Sequence, residues 1–344
     1  MYSEVVDKIL KSLDEEIITS TYPKFSGESY KPHKIDAKNF HEIKKSSVNK
    51  KIAFVDGGNA EIIKSGNFSL NLIRICYVVY HNNKKIGFKK FDILAFVQAI
   101  NENNEIHYKT SFFKSKDDFD FGDISFSSLD HTLMLGINRA EISSVANAIR
   151  RFAELKLAKL VSDEKIADII VLDGNLQRTL TNENTYLDEL YESCSKNNVI
   201  LTALSKTNSL FTDNGGLLSV VLSSISNLPS WYYYPIADID DSSHKAEMFF
   251  AKFHDKSKHI FRFEVFNTQK DKAEEVISAL ASNCVDPIFI GYPYGLVEAD
   301  RIARVSNHEK ESLKTMFLVR LSNKNIDKYL SSVNAHEILD KISF

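Results

Sequence analysis

Apolar runs in the first third of the chain predict a set of β-strands. Three such runs lie at 51–56, 70–80 and 91–100. The polar stretch 81–85 between the second and third runs is typical of a turn, and a fourth run at 106–113 predicts another strand. Residues 114–130 mix Lys, Asp, Gly and Ser with phenylalanines and indicate a loop. This part of the chain therefore predicts an antiparallel meander.

After residue 138 the apolar residues recur at helical spacing. This spacing predicts a helix at 138–161, a strand that ends at Asp173, a second helix at 184–197 and a strand at 199–204. A three-stranded meander followed by alternating helices and strands predicts an α/β protein. The order matches a ribonuclease H-like mixed sheet, with three antiparallel strands and then parallel strands, flanked by helices.

The two ends of the chain add further predicted elements. Residues 2–18 form an amphipathic helix whose apolar stripe must pack on its own domain or on a partner, and 19–49 are predicted to be an irregular arm. We therefore expect an N-terminal helix and arm over 1–49 and one domain over 50–344. Additional C-terminal strands are predicted at 231–235, 246–254, 259–267 and 287–291, with helices at 271–283, 295–305, 308–321 and 334–340.

Composition and charge narrow the class of protein only slightly. The 344 residues are 43% hydrophobic and 26% charged, with a net charge of -3, which excludes a uniformly basic nucleic-acid coat but allows a local basic groove. The three cysteines lie far apart, without metal-binding spacing. Acidic residues at the N-terminus are unlike a signal peptide, and no apolar run reaches the ~20 residues that span a bilayer. We expect a cytoplasmic protein without a membrane segment.

Two apolar strands each lead into an Asp-Gly pair, at Asp56 and at Asp173. If the strands are neighbours, these carboxylates lie side by side at one edge of the sheet. An ionised carboxylate buried there without a partner costs several kcal/mol, so it needs a cation, a donor or water. The alternative is that both aspartates are ordinary turn residues before glycine.

Further acids can join this pair from two predicted helices. Glu154 lies on the helix between the two strands, and Asp300 on a late helix. Oxygen ligands without histidine or thiolate suit Mg²⁺ or Mn²⁺, and two such ions can activate water and stabilise a leaving oxygen in phosphodiester hydrolysis. Two alternatives stay open: Glu154 pairs with Arg150 at i, i+4, or Glu141 on the same predicted helix is the ligand.

Five segments, in this order, resemble the motifs of the NurA nucleases: 54–58, 150–154, 172–176, 205–206 and 292–300, with 336–340 similar to the closing motif. Asp300 stands where some relatives have histidine, and Gly58 where serine is common. The resemblance implies a ribonuclease H-like fold, a homodimer and Mn²⁺-dependent cleavage of DNA. It also implies 5′-to-3′ exonuclease and single-strand endonuclease activity in DNA end processing, with the HerA hexameric ATPase as partner.

The resemblance also implies roles for individual residues. The metal ligands, for two Mn²⁺ or Mg²⁺ ions, are Asp56, Glu154, Asp173 and Asp300. Lys206 and Tyr292 complete the catalytic set and position the phosphate, the tyrosine by bonding to it or stacking on a base. The competing interpretations are that Lys206 is an ordinary surface lysine and that Tyr292 is a buried aromatic residue at the end of a strand.

Two other functional classes remain open from the sequence. One is a non-catalytic DNA-binding or adaptor subunit that regulates a HerA-like translocase. The other takes the Asp-Gly turns as phosphate loops of an actin-like kinase or ATPase, although no Walker-type glycine-lysine loop is present. Lysine clusters at 44–51 and 84–90 fit a DNA backbone or a solvated surface equally well.

Overall fold

Long strands in a single mixed sheet dominate the computed structural model, which describes residues 2–14, 21–44, 49–114 and 121–321. The strands are Pro23–Lys24 (β1), Tyr30–Pro32 (β2), Phe40–Glu42 (β3), Lys51–Lys64 (β4), Phe68–His81 (β5), Lys84–Glu102 (β6), Glu105–Lys114 (β7), Ile124–Ser127 (β8), Ile169–Asp173 (β9), Ile200–Ser205 (β10), Phe211–Thr212 (β11), Trp231–Tyr233 (β12), Ala237–Ile239 (β13), Ala246–Lys252 (β14) and Phe261–Phe266 (β15). The helices are Tyr2–Asp14 (α1), Ser144–Asp163 (α2), Glu183–Asn197 (α3), Leu218–Ile225 (α4), Ala273–Asn283 (α5), Tyr294–Ala303 (α6) and Asn307–Leu321 (α7), with short 3-10 helices at Ala37–Asn39, Asn267–Lys272 and Pro287–Phe289.

The main sheet has the strand order β3-β12-β14-β15-β10-β9-β4-β5-β6-β7-β8. β4, β5 and β6 are antiparallel neighbours, β9 runs parallel to β4, and β10 runs parallel to β9. The predicted meander followed by parallel strands is confirmed. The β5–β6 and β6–β7 hairpins turn through Asn pairs with positive φ, at Asn82-Asn83 and Asn103-Asn104. Asparagine tolerates this conformation, and such turns match the twist of the flanking strands.

Helices cover both faces of the central strands. Alternate residues of β4 point to opposite sides: Ala53 and Val55 pack in the core beneath α2 and α3, whereas Ile52 and Phe54 pack against α5 and α6. Because both faces are buried, these strands read as continuous apolar runs rather than alternating ones. The central strands are therefore rigidly enclosed, and the side chains where their pairing ends are held in place from both sides.

The first central strand differs from the prediction that it ends at Asp56. β4 continues through Gly57 and Gly58 to Lys64 and stays paired with β5, with Gly58 opposite Arg74. The two glycines make room for different neighbours. A Cβ at position 57 would lie 2.7 Å from Oε1 of Glu154 on α2, and a Cβ at position 58 would lie 2.4 Å from the carbonyl oxygen of Ala303 at the end of α6. Gly58 therefore sets how closely α6 packs on β4.

Other sequence expectations were wrong in detail. Residues 287–291 form no strand, because Asp286 caps a 3-10 helix that begins at Pro287. Part of the expected loop 114–130 is the edge strand β8, which pairs with β7. The expected irregular arm contains β1, β2 and β3, and β3 pairs with β12 at the far edge of the main sheet. The helix predicted at 334–340 and the motif at 336–340 lie outside the described residues.

The described part of the predicted N-terminal helix is Tyr2–Asp14, and residues 15–18 of the prediction lie outside the described residues. The apolar stripe of α1 is not buried by the described part of the chain: Val5 and Val6 are each 53% exposed. None of the described helices combines the length and apolarity that crossing a bilayer requires.

Replacing Gly58 by Ala is expected to destabilise the protein, because the added methyl group would meet the main chain of Ala303 and force α6 away from β4. Overpacking of this kind costs about 1–3 kcal/mol in the free energy of unfolding. The measurement is urea denaturation. Gly87→Ala in β6 is the matched control, since a Cβ there has nothing within 4 Å. Equal stabilities of the two variants would contradict the close approach.

Candidate active site

The register of two parallel strands places Asp56 beside Asp173. β9 pairs with β4 from Ile52 to Val55, and Val55 lies opposite Leu172. The next residue on each strand is an aspartate, at the point where this pairing ends. Parallel neighbours put equivalent positions at the same level, so both carboxylates emerge together. The side-by-side arrangement predicted from the sequence is present in the structure.

A third aspartate reaches the same place from α6, which packs on the face of the sheet where Phe54 and Val171 lie. Asp300 lies on α6, and carboxylate oxygens of Asp56, Asp173 and Asp300 all lie within 4.8 Å of one another. Asp56 is only 5% exposed, whereas Asp173 and Asp300 are partly exposed. The cluster is thus open to solvent on one side and closed by the sheet on the other.

Lys206 and Arg304 balance part of the negative charge. Lys206 directly follows β10, and its Nζ lies 2.6 Å from Asp173 Oδ2 and 3.1 Å from Asp300 Oδ1. Burial opposes the charged form of Lys206, but the bonds to these aspartates outweigh it and raise the pKa of its ammonium group. Arg304, one turn after Asp300, contacts it at 2.8 Å. Lys206 is therefore a lysine that keeps 38% of its side chain exposed and is also bound to two acids of the site.

The charged form of Asp56 is strongly disfavoured. Burial, followed by the negative charges of Asp173 and Glu154, raises the pKa of Asp56 to about 8, although Lys206 and the Gly57 N–H oppose this rise. Removing a carboxylate from water disfavours its charged form, and like charges nearby add to the effect. A cation beside Asp56 would favour the charged carboxylate and would therefore oppose both contributions to the raised pKa.

Glu154 lies next to this cluster but outside the group of three converging aspartates. It is buried on α2, with Oε1 3.3 Å from Arg150 Nη1, and burial raises its pKa. Glu154 lines one pocket of about 410 Å³ together with Asp56 and Asp173. The i, i+4 pairing with Arg150 is present, but the carboxylate is not solvated.

The alternative acid, Glu141, has a different environment. It precedes α2 instead of lying on it, is exposed, and accepts a hydrogen bond of 2.9 Å from Lys64 Nζ. It does not line the pocket that holds Glu154. The geometry therefore favours Glu154 as the helical acid of the site.

Tyr292 lies under the aspartates with its ring enclosed. It is 1% exposed, and its ring packs between Phe261 and Phe289 at centroid distances of 5.2 and 5.0 Å. Its hydroxyl has no hydrogen-bond partner among the described residues. Burial, then the charges of Asp173 and Asp56, raises its pKa well above the ordinary value. The ring offers no face for stacking on a base, but the hydroxyl is a protonated donor at the site.

Two adjacent arginines on α2 hold the backbone that follows each aspartate. Arg150 Nη1 donates to the Gly57 carbonyl at 2.9 Å, and Arg151 Nη2 donates to the Asn175 carbonyl at 2.8 Å. Glu183 fixes Arg151 at 2.8 Å. Sequence reasoning gave Arg150 only a pairing with Glu154 and gave Arg151 no role. The only sequence signal for the two arginines was their position just before Glu154.

The two Asp-Gly pairs have different local structures. Gly57 continues a strand, whereas Gly174 has a φ of +119°, a conformation that favours glycine. The Gly174 carbonyl accepts a hydrogen bond of 2.7 Å from Ser205 Oγ. The turn interpretation therefore applies to the glycine after Asp173 and not to the one after Asp56.

The donor set fits a hard divalent cation. Three carboxylates converge without histidine or thiolate, and burial, together with the charges of Asp173 and Glu154, raises the pKa of Asp56 to about 8. Mg²⁺ and Mn²⁺ prefer oxygen ligands of this kind. Asp56, Asp173 and Asp300 could hold such an ion, with Glu154 close by in the adjoining pocket.

Carboxylates gathered at the end of parallel strands in an α/β fold define a candidate hydrolytic centre, and comparison with known proteins identifies the family. The NurA domain matches residues 50–305, and the chain belongs to this family of nucleases.

Solved structures agree with this assignment at the level of the fold. The crystal structure of the NurA nuclease from Sulfolobus solfataricus has a TM-score of 0.54 and 14% identity, over 93% of this chain and 94% of that chain. The catalytic domain of human endonuclease V gives a TM-score of 0.40 at 11% identity, over 91% of this chain and 97% of that one, which does not establish a shared fold. No curated protein sequence matches the chain significantly.

Replacing Asp56 by Asn is expected to stabilise the protein at neutral pH in EDTA, because the amide removes a charge buried beside Asp173 and Glu154. A charged residue kept for function commonly lowers the free energy of unfolding by about 1–2 kcal/mol, and the substitution should restore about this amount. Folding raises the pKa of Asp56. The free energy of unfolding of the wild type should therefore fall as the pH rises from the ordinary pKa of an aspartate to about 8. Urea denaturation across this range measures both effects.

The matched control for this substitution is Asp240→Asn, which changes the same charge on an exposed residue. It should leave the stability and its pH dependence close to those of the wild type. Identical pH slopes for the wild type and Asp56→Asn would contradict the raised pKa of Asp56.

Proposed function

We propose that the protein is a divalent-metal-dependent DNA nuclease that hydrolyses phosphodiester bonds. The observation that carries this proposal is the convergence of three carboxylates within 4.8 Å in a member of the NurA family. The proposed catalytic residues are Asp56, Glu154, Asp173, Lys206, Tyr292 and Asp300. The proposed metal ligands, for two Mn²⁺ or Mg²⁺ ions, are Asp56, Glu154, Asp173 and Asp300.

The side chains of the chain itself divide the remaining work. When bound, the metal would supply Lewis-acid stabilisation and activate water for attack on the phosphate. Lys206 offers a positive charge to a phosphate oxygen, and the Tyr292 hydroxyl, whose raised pKa keeps it protonated, offers a hydrogen bond. Arg150 and Arg151 keep the carboxylates in register by holding the adjacent backbone. Rigid positioning of this type is a main source of catalytic rate.

We further propose that the sheet is ribonuclease H-like. The strand order β6-β5-β4-β9-β10, with an antiparallel meander and two following parallel strands, supports this. The proposed domain boundary at residue 50 coincides with the start of the NurA match. The preceding arm nevertheless joins the main sheet through β3.

Family membership supports a more detailed proposal for the cellular role. The protein would act as a 5′-to-3′ exonuclease and single-strand endonuclease on DNA ends in the cytoplasm. It would work as a homodimer together with a HerA-like hexameric ATPase.

The decisive experiment is incubation of the purified protein with end-labelled single- and double-stranded DNA and Mn²⁺. Cleavage is expected with Mn²⁺ and should stop in EDTA. Asp56→Asn should lower the rate about 100-fold or more, because Asp56 is a proposed direct ligand and loss of even an outer-shell partner typically costs about 10- to 100-fold. Asp240→Asn should cleave like the wild type. Absence of cleavage combined with tight binding to a HerA-like motor would instead favour an adaptor subunit.

A matched pair of glutamate substitutions tests which helical acid takes part. Glu154→Gln should reduce cleavage by about 10- to 100-fold, since Glu154 lines the pocket of Asp56 and Asp173. Glu141→Gln should cleave like the wild type, because Glu141 is exposed and bonded to Lys64. Initial rates on single-stranded DNA give the comparison. A Glu154→Gln variant that cleaves like the wild type would remove Glu154 from the site.

A further inference from the structure

A second pocket adjoins the carboxylates on the side of β10. Its volume is about 430 Å³, and it lies between the segment after β10, helix α4 and the loop between β14 and β15. Its polar lining includes Lys206, Asn208, Ser219, Ser223, Lys258 and His259. No acidic residue lines this pocket in the described part of the chain. We refer to it as the cationic pocket.

The cationic pocket is joined to the active site through Lys206, which pairs with both Asp173 and Asp300. Lys206 lines the cationic pocket, and its Nζ lies 2.6 Å from Asp173 Oδ2. Asp173 lines the pocket on the other side, where Asp56 and Glu154 add two more acids. A nucleic-acid strand whose reacting phosphate lies at Asp173 therefore has an acidic pocket on one side and the cationic pocket on the other.

The chemistry of the lining matches a phosphate group. Lys258 is exposed and has no carboxylate partner among the described residues; Asp255 of the same loop pairs with His254 and does not line the pocket. Asn208 Oδ1 already accepts the Leu210 N–H at 3.1 Å. This leaves Asn208 Nδ2 as a buried donor with no partner among the described residues. Ammonium and amide donors without acids are the groups that bind nucleic-acid backbones.

We propose that the cationic pocket, with Lys258 and Asn208 as its main contacts, binds an internal phosphate of the DNA strand next to the phosphodiester at the aspartates. The proposal rests on the proposed nuclease function. Phosphates that neighbour the reacting one are repelled by the acids, and the cationic pocket is the adjoining place where they gain a favourable charge. Its size lies within the range of about 300–1,000 Å³ found for pockets that hold small groups.

The test is the affinity of Lys258→Gln for a fluorescent single-stranded oligonucleotide in EDTA, measured over a range of salt concentrations. Loss of one phosphate contact should weaken binding about fivefold and reduce the slope of log affinity against log salt by about one. Lys258→Arg should restore both, because it keeps the charge. Unchanged affinity and slope in Lys258→Gln would overturn the proposal.

Lys196→Gln is the matched control. It removes the same charge from an exposed lysine in the last turn of α3. The opposite end of that helix is the one near the site, because Glu183 there contacts Arg151. Its affinity and salt slope should equal those of the wild type. An equal loss in Lys196→Gln and Lys258→Gln would indicate a general charge effect and overturn the pocket assignment.

Three forms of DNA distinguish an internal phosphate from a terminal one. Lys258→Gln should weaken binding to a 5′-phosphorylated strand, a 5′-hydroxyl strand and a single-stranded circle by the same factor. A loss confined to the 5′-phosphorylated strand would assign the pocket to a chain end and overturn the internal placement.

Binding in EDTA separates this inference from the proposed nuclease activity. Lys258-dependent binding without cleavage in Mn²⁺ would support the cationic pocket and reject the nuclease. Cleavage in Mn²⁺ with binding that does not depend on Lys258 would reject the pocket and leave the nuclease in place.

Discussion

Repulsion between buried carboxylates is the constraint on which this site depends. Asp56 and Asp173 emerge where β4 and β9 cease to pair, and Asp300 approaches them from α6. Such a group is stable only if the surrounding structure prevents it from separating and if positive charge lies near it. The fold meets the first condition by enclosing the central strands on both faces, and Lys206 partly meets the second.

Positive groups around the site therefore have two separate tasks. Lys206 and Arg304 contact the aspartates directly and offset their charge. Arg150 and Arg151 bond to main-chain carbonyls and fix geometry, and Arg150 also pairs with Glu154. Lys258 belongs to neither group because it faces a pocket without acids. The arrangement gives a strand of nucleic acid an uneven electrostatic environment along its length, which favours one placement over others.

Much of the site could be predicted because strand periodicity is a local signal. The apolar runs leading to Asp56 and Asp173 indicated parallel neighbours, and register alone then brought the acids together. Asp300 could be named as a further acid on a late helix, but its position beside the pair could not be derived, because no local pattern links α6 to β4. The continuation of β4 beyond Gly57 was missed, since a glycine pair resembles a turn until β5 and α6 are in place. The hydrogen bond from Arg151 to a main-chain carbonyl could not be predicted, because every residue has such a carbonyl and the sequence does not show which one is near.

The contact between Gly58 and Ala303 has a consequence for how this centre tolerates change. Because a Cβ at position 58 would meet a carbonyl oxygen at 2.4 Å, the two main chains touch with no side chain between them. The span from Asp56 to Asp300 is then set by the path of the polypeptide itself. Substitutions elsewhere in the core can change side-chain volumes without changing the distance between Asp56 and Asp300. Sequences with little else in common can therefore keep the same arrangement of acids.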